Sequence, residues 1–374
     1  MDTPGSQFVE DLVWQESLKS GGIFLDVRAE IEFIEGAIPG AVNLPILNTT
    51  ERHLVGIRYK ESGSDAAYAL GHEMVRDSKK TERVDGWVEF LKKNPKTYLY
   101  CFRGGMRSQI AQQWIMDAGV SIPRVKGGYK EIRNFLLKSL KEKSSTLPLS
   151  GITGYTGSGK TRLLRDLKAQ TIDLEGLANH RGSAFGSEID PQPSQATFEN
   201  RLAITLLKIR PSSEGKGPVW FEDEARMIGK VCVPDVFYNP MMETPLYVIS
   251  EPIEARAKLT LEDYVIDRHE QLRRSGVESP LHLMRDLYLN AIERISKKLG
   301  GTRTLEAQKL IGAAFQDHSD WHGHLNWIKF LLKNYYDPLY ERHLERQKSR
   351  IKWTGTREEL KTLAMALVKT DFIP

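Results

Sequence analysis

The chain has 374 residues, 40% of them apolar and 27% charged, which is enough to bury two or three cores and unlike a disordered or fibrous sequence. Its net charge of +4 permits a polyanionic partner such as RNA without establishing one. No apolar stretch is long enough to cross a bilayer, and the two cysteines, Cys101 and Cys232, have neither a disulfide framework nor metal-ligand spacing, so a cytoplasmic protein with no membrane association is expected.

Gly22–Arg28 reads as a short buried strand ending in a charged turn, and residues 36–45 carry the Gly/Pro punctuation of a loop that leads into a brief strand. Tyr98–Cys101 is another strand, and Ile110, Ala111, Trp114 and Ile115 give helical spacing after it. The apolar period of Ile132, Phe135, Leu136 and Leu140 ends before a polar stretch, 141–148, taken as a linker. Strands are expected at 149–152, 219–221 and 246–249, and a helix at 162–170; alternation of this kind favours a mostly parallel sheet. Beyond about residue 252 helical patterns dominate, including 326–333 and 339–351. The fold class is therefore α/β, divided as 1–140, a linker at 141–148, a second core at 149–252 and a helical C-terminal extension at 253–374.

Cys101 stands at a strand end, followed by Arg103, Gly104, Gly105 and Arg107. Successive backbone N–H groups in such a loop form a concave nest that favours a thiolate and holds an anion against the sulfur, and both arginines strengthen that effect. The five residues between Cys101 and Arg107 match the spacing of cysteine phosphatases and of a few sulfurtransferase-like domains. Phosphate-ester hydrolysis and attack on a phosphate-bearing chalcogen donor both remain open.

Gly154-x-x-x-x-Gly159-Lys160-Thr161 fits every defined position of the phosphate-binding loop, between a strand and a helix. Gly154, Gly157, Ser158 and Gly159 would let the backbone wrap a diphosphate, Lys160 would add a mobile positive charge, and Thr161 would reach a magnesium ion where one is used. Of the acidic run Glu222-Asp223-Glu224, Asp223 is favoured as the supporting carboxylate, with Glu222 close behind. Arg181 and Ser183, in a polar glycine-bearing stretch, are candidates for contact with diphosphate or RNA. Arg256 fits a solvated helix face better than a lid position. Trp321, Trp327, Tyr335, Tyr336 and Tyr340 supply aromatic material, and Arg342, Arg346 and Arg350 share one helical face that could track an RNA backbone.

Asp26-Val-Arg28, the stretch from Glu35 to Pro45 and Cys101 at a strand end resemble a rhodanese domain. A rhodanese-like domain followed by a P-loop NTPase-like domain resembles the bacterial tRNA 2-selenouridine synthase family. Residues 55–60, 63–65, 70–71, 127–130, 173–186, 222–229 and 335–338 carry the same resemblance. It implies modification of the wobble uridine of tRNA: 2-thiouridine would receive a geranyl group from geranyl diphosphate, then exchange S-geranyl for selenium from selenophosphate. By resemblance Cys101 carries selenium as a selenosulfide-type intermediate, and the phosphate loop holds diphosphate. No tightly bound cofactor is implied, magnesium is admitted, and an enzyme supplying selenophosphate is a further conceivable partner. The competing readings are a cysteine phosphatase or sulfurtransferase fused to a nucleotide kinase, which the absence of a His before Cys101 weakens, and a non-catalytic RNA-binding scaffold.

Overall fold

The structure, a computed structural model, describes residues 7–167, 170–209, 217–316 and 321–369. By internal packing the chain falls into two units, one of residues 1–143 with 193–208 and the other of 144–192 with 209–374.

The first unit is built on five strands, β1 (Phe8–Val9), β2 (Ile23–Asp26), β3 (Ala41–Asn43), β4 (Thr97–Tyr100) and β5 (Arg124–Val125). Their order is β1-β5-β4-β2-β3, and every pairing is parallel. The central strands β2 and β4 are almost wholly buried, as parallel strands covered on both faces must be. Trp87, Trp114, Leu25, Leu99 and Ile115 form the core beside Cys101, and the Trp87 indole N–H is satisfied by the Leu44 carbonyl at 2.9 Å.

The Asp26-Val-Arg28 motif is a buried ion pair. Arg28 Nη2 lies 2.7 Å from Asp26 Oδ2, donates to the Gly36 carbonyl at 2.7 Å, and its guanidinium sits 3.9 Å over the Tyr129 ring. Removing one partner strands the other charge away from water, so Arg28→Ala is expected to destabilise this unit by about 3–5 kcal/mol. Denaturant titration of the full chain would measure it, and a loss under about 1 kcal/mol would mean the pair is energetically idle.

Packing in this unit brings in a segment that the linear reading left with the second half of the chain. The helix Gln195–Lys208 buries Phe198, Leu202 and Leu206. Thr197 Oγ1 accepts from the Ala37 N–H at 2.9 Å, Asn200 donates to the Ala37 carbonyl at 2.8 Å, and Arg133 pairs with Glu199 and Asn200. The stretch expected as a polar linker is helical as far as Thr146, because the helix Gly128–Thr146 continues past its last buried apolar turn.

The second unit has β6 (Leu149–Gly154), β7 (Thr171–Ile172), β8 (Val219–Glu222), β11 (Leu246–Ile249) and β12 (Ile351–Gly355), in the order β12-β11-β6-β8-β7 and all parallel. A short antiparallel pair, β9 (Met227–Ile228) and β10 (Val231–Cys232), stands apart. The helix expected at 162–170 is described as Lys160–Leu167, and residues 168–169 lie outside the described residues. One expectation fails here. The helix read over 339–351 ends at Arg346, and Ile351–Gly355 returns to the sheet as its edge strand. Its alternating half-buried pattern follows the helix through residues 347–350 without Gly or Pro punctuation, which hides the switch of period. The final helix, Arg357–Lys369, then packs Leu360 and Ala364 with Leu163 and Leu164 of the helix after the phosphate loop. The rest of the C-terminal region is a helical core around Tyr288, Ile292, Ile311, Trp327 and Leu331.

Candidate functional site

In the first unit, β4 delivers Cys101 to the loop that precedes the helix Met106–Asp117. The loop is held from behind by the start of the helix Gly128–Thr146: Tyr129 N–H donates to the Cys101 carbonyl at 2.8 Å and Lys130 N–H to the Phe102 carbonyl at 3.0 Å. Only glycine fits at 128, where a Cβ would lie 2.2 Å from the Cys101 oxygen and φ is +59°. Cys101 is buried, and its thiol donates to Ser108 Oγ at 3.2 Å.

Arg107 shares this corner but is already engaged, with Nη1 and Nη2 at 2.5 and 3.0 Å from the two oxygens of Glu32. Burial opposes its charge, but Glu32 and the Cys101 sulfur outweigh it and hold Arg107 above the ordinary arginine value. Burial likewise raises Glu32, yet Arg107, the Ala29 N–H and Arg52 leave it below the usual carboxylate range. An anion arriving at the sulfur must therefore use the remaining guanidinium donors and the loop amides. Arg103 is exposed beside Phe102, its guanidinium 6.0 Å from that ring. Sequence reasoning missed Glu32 and Ser108; Ser108 follows Arg107 directly, whereas Glu32 is seventy-five positions away and carried no local signal.

In the second unit the phosphate loop joins β6 to the helix Lys160–Leu167. Gly157 has φ +79°, and a Cβ there would lie 2.5 Å from Thr260 Oγ1 and 2.7 Å from the Arg256 carbonyl. Gly157, Gly159, Lys160 and Thr161 line a cavity of about 800 Å³, whereas Gly154 and Ser158 do not; Ser158 is fully buried and its hydroxyl has no hydrogen-bond partner among the described residues. Lys160 Nζ donates to the Gly154 carbonyl at 3.1 Å, lies 3.7 Å from Glu222 Oε1, and faces the Tyr340 ring at 5.4 Å. Burial opposes its charge, but Tyr340, Glu222, Glu224 and Glu175 outweigh it, so the ammonium is held above the usual lysine value.

The acidic run after β8 corrects the order of preference. Glu222, not Asp223, meets the loop: Thr161 Oγ1 donates to Glu222 Oε2 at 3.1 Å. Asp223 Oδ2 instead accepts from His343 Nε2 at 2.9 Å. Neighbouring residues at a strand end point to opposite sides, so one position decides which carboxylate faces the cavity. Glu224 points back with Glu222, and Glu175 joins them, carboxylate oxygens of the three lying within 4.8 Å of one another.

Crowding shows in their protonation. Glu224 is pushed up to about 8, by burial first and then by Glu222; Glu175 is raised by burial, Glu222 and Glu224, and Glu222 by burial and Asp173 against the opposing pull of Lys160. A carboxyl raised from an ordinary 4.5 binds its proton more tightly in the folded state, so its contribution is fully present below the unfolded value and is lost as pH rises through about 8. The thermal midpoint should fall across that window, and Glu224→Gln should flatten the fall. A flat wild-type profile would contradict the crowding.

Arg181 and Ser183 line the cavity. Arg181 is braced by Glu188 at 2.7 Å and lies 5.1 Å over the Tyr264 ring, and Ser183 Oγ is 3.2 Å from Tyr264 OH. Arg256 is not solvated. It is buried, clamps Asp337 through two bonds of 2.8 Å, and donates to the Thr156 carbonyl at 3.2 Å, bracing the phosphate loop. Tyr335, Tyr336 and Tyr340 line the cavity, while Trp321 packs on His269 in the helical core. The expected basic stripe is shortened, because Arg350 donates to the carbonyls of Thr244 and Met241 at 2.9 and 2.7 Å.

Comparison with known proteins agrees with both halves. Residues 9–135 match a rhodanese-like domain, and residues 148–370 match a domain described as the tRNA 2-selenouridine synthase AAA domain. The chain is 42% identical over 350 residues to a tRNA 2-selenouridine synthase from Marinobacter nauticus, covering 92% of this chain and 95% of that one. Proteins of the same description from Shewanella sediminis and a Sulfurovum species are each 42% identical, over 93% and 90% of this chain and 94% and 92% of theirs.

Proposed function

Because the chain belongs to the tRNA 2-selenouridine synthase family, and so to the enzymes that selenate tRNA uridine, we propose that it works in two steps, with a prenyl transfer at the phosphate loop and a selenium exchange that uses Cys101. In the first step the sulfur of wobble 2-thiouridine attacks C1 of geranyl diphosphate. The C1–O bond breaks, the C1–S bond forms, the diphosphate leaves with the electron pair and the base gives up its N3 proton. In the second step the selenium of selenophosphate, held in contact with the Cys101 sulfur, attacks C2: the C2–Se bond forms, the C2–S bond breaks and geranyl thiol departs with a proton, after which water cleaves the Se–P bond and releases phosphate.

The observation that carries this reading is the placing of Lys160. Its ammonium lies 5.4 Å from the Tyr340 ring in a cavity that Tyr264, Tyr335 and Tyr336 also line. A cation and loop N–H groups aimed at one point stabilise charge as it builds on leaving oxygens, and aromatic walls suit an apolar allylic group. Arg181 and Ser183, on the same cavity, would position the diphosphate. Glu175, Glu222, Glu224 and the Thr161 hydroxyl form an all-oxygen set whose chemistry fits magnesium, which when bound there would add positive charge beside the diphosphate. In the first unit, the loop amides and Arg107 would hold the phosphate end of selenophosphate against the Cys101 sulfur.

The test is incubation with 2-thiouridine tRNA, geranyl diphosphate and selenophosphate, followed by nucleoside mass analysis. The expected products are S-geranyl-2-thiouridine when selenophosphate is withheld and 2-selenouridine when it is present. Unaltered nucleosides accompanied by phosphate-ester turnover would instead support a cysteine phosphatase.

A further inference from the structure

The cavity at the phosphate loop does not end in polar walls. Two of the helices that bound it are interrupted by π-helical turns, Glu262–Ile266 and Leu332–Tyr336. Such turns recur at functional sites, because an extra residue in the turn re-aims the side chains around it. The first turn carries Tyr264 and the second Tyr336, and both tyrosines line the main cavity as well as a smaller recess that shares Thr156, Ser183 and Thr260 with it. The rest of the recess is apolar: Phe185, Trp327, Ile328, Leu331 and Leu332.

Phe185 forms the less buried part of this floor. Its ring stacks on Trp327 with centroids 5.9 Å apart and planes at 25°, and Trp327 is fixed from behind by its indole N–H, which donates to His324 Nδ1 at 3.0 Å. Trp327 is core, while Phe185 is only partly buried and packs against that core. The recess measures about 20 Å³, room for roughly one water and too little for a further isoprene unit. A ligand using both ends of this space has an anionic head and a hydrocarbon tail; a nucleotide would set its ribose and base against the apolar floor, leaving their polar groups unpaired.

We infer that the hydrocarbon end of the diphosphate substrate stops at this floor, and that Phe185, backed by Trp327, sets the length of chain accepted. This rests on the prenyl-transfer reading above. Truncation of Phe185 to alanine removes a whole ring, comparable to one isoprene unit, while leaving the phosphate loop untouched.

The experiment sets wild type, Phe185→Ala and Phe185→Leu against dimethylallyl, geranyl and farnesyl diphosphates with 2-thiouridine tRNA, reading products by mass and the affinity for inorganic diphosphate separately. Phe185→Ala is expected to raise the farnesyl-to-geranyl ratio about tenfold or more, with diphosphate affinity unchanged. Phe185→Leu should move it in the same direction by less, and it carries the test if the alanine variant fails to fold. Prenyl transfer by wild type together with an unmoved ratio in the variants would overturn this inference alone. No transfer by wild type at any chain length would overturn the parent reading and this inference with it.

Discussion

Lys160→Ala is expected to lower geranyl transfer by about two to three orders of magnitude, the usual cost of deleting one preorganised stabiliser of a developing oxyanion. The size also reflects how three neighbouring arginines are engaged. Arg162 is paired with Glu262 and Asp263 at 2.8 and 2.6 Å, Arg181 with Glu188, and Arg256 with Asp337. Lys160 is held differently, by loop carbonyls that it can exchange for phosphate oxygens and by a carboxylate at the longer distance of 3.7 Å. Single-turnover transfer and diphosphate binding should both be measured. Preserved transfer with unchanged diphosphate affinity would remove Lys160 from the mechanism.

Cys101→Ser should abolish selenium incorporation, by about a thousandfold or more, while geranyl transfer continues and S-geranyl-2-thiouridine accumulates. Serine is close in shape and can keep the bond to Ser108 Oγ, so the loop should hold its form. A hydroxyl, however, neither ionises readily near neutral pH nor matches the soft, polarizable character of selenium. Loss of both steps in this variant would mean that the two sites do not act independently.

What the sequence disclosed was local, and what it concealed was mostly distant. The phosphate loop was readable because strand, glycines, lysine and helix follow one another within a dozen positions. Cys101 at a strand end was readable for the same reason. The choice between Glu222 and Asp223 was not, since it depends on how β8 is set beside β6, where Glu222 stands level with Ile152. Arg107 looked free because Glu32 lies far away along the chain, and Arg256 looked solvated because Asp337 is eighty-one positions distant. The edge strand at Ile351 was obscured because no Gly or Pro separates it from the helix that ends at Arg346.

The helix Gln195–Lys208 has a practical consequence for dissecting the enzyme. An expression fragment cut at residue 143 would strip the Ala37 amide and carbonyl of their side-chain partners and leave Arg133 facing water where Glu199 had been. Anyone wishing to purify the sulfur-bearing half by itself would do better to splice that helix back on through a designed tether than to trust a single cut.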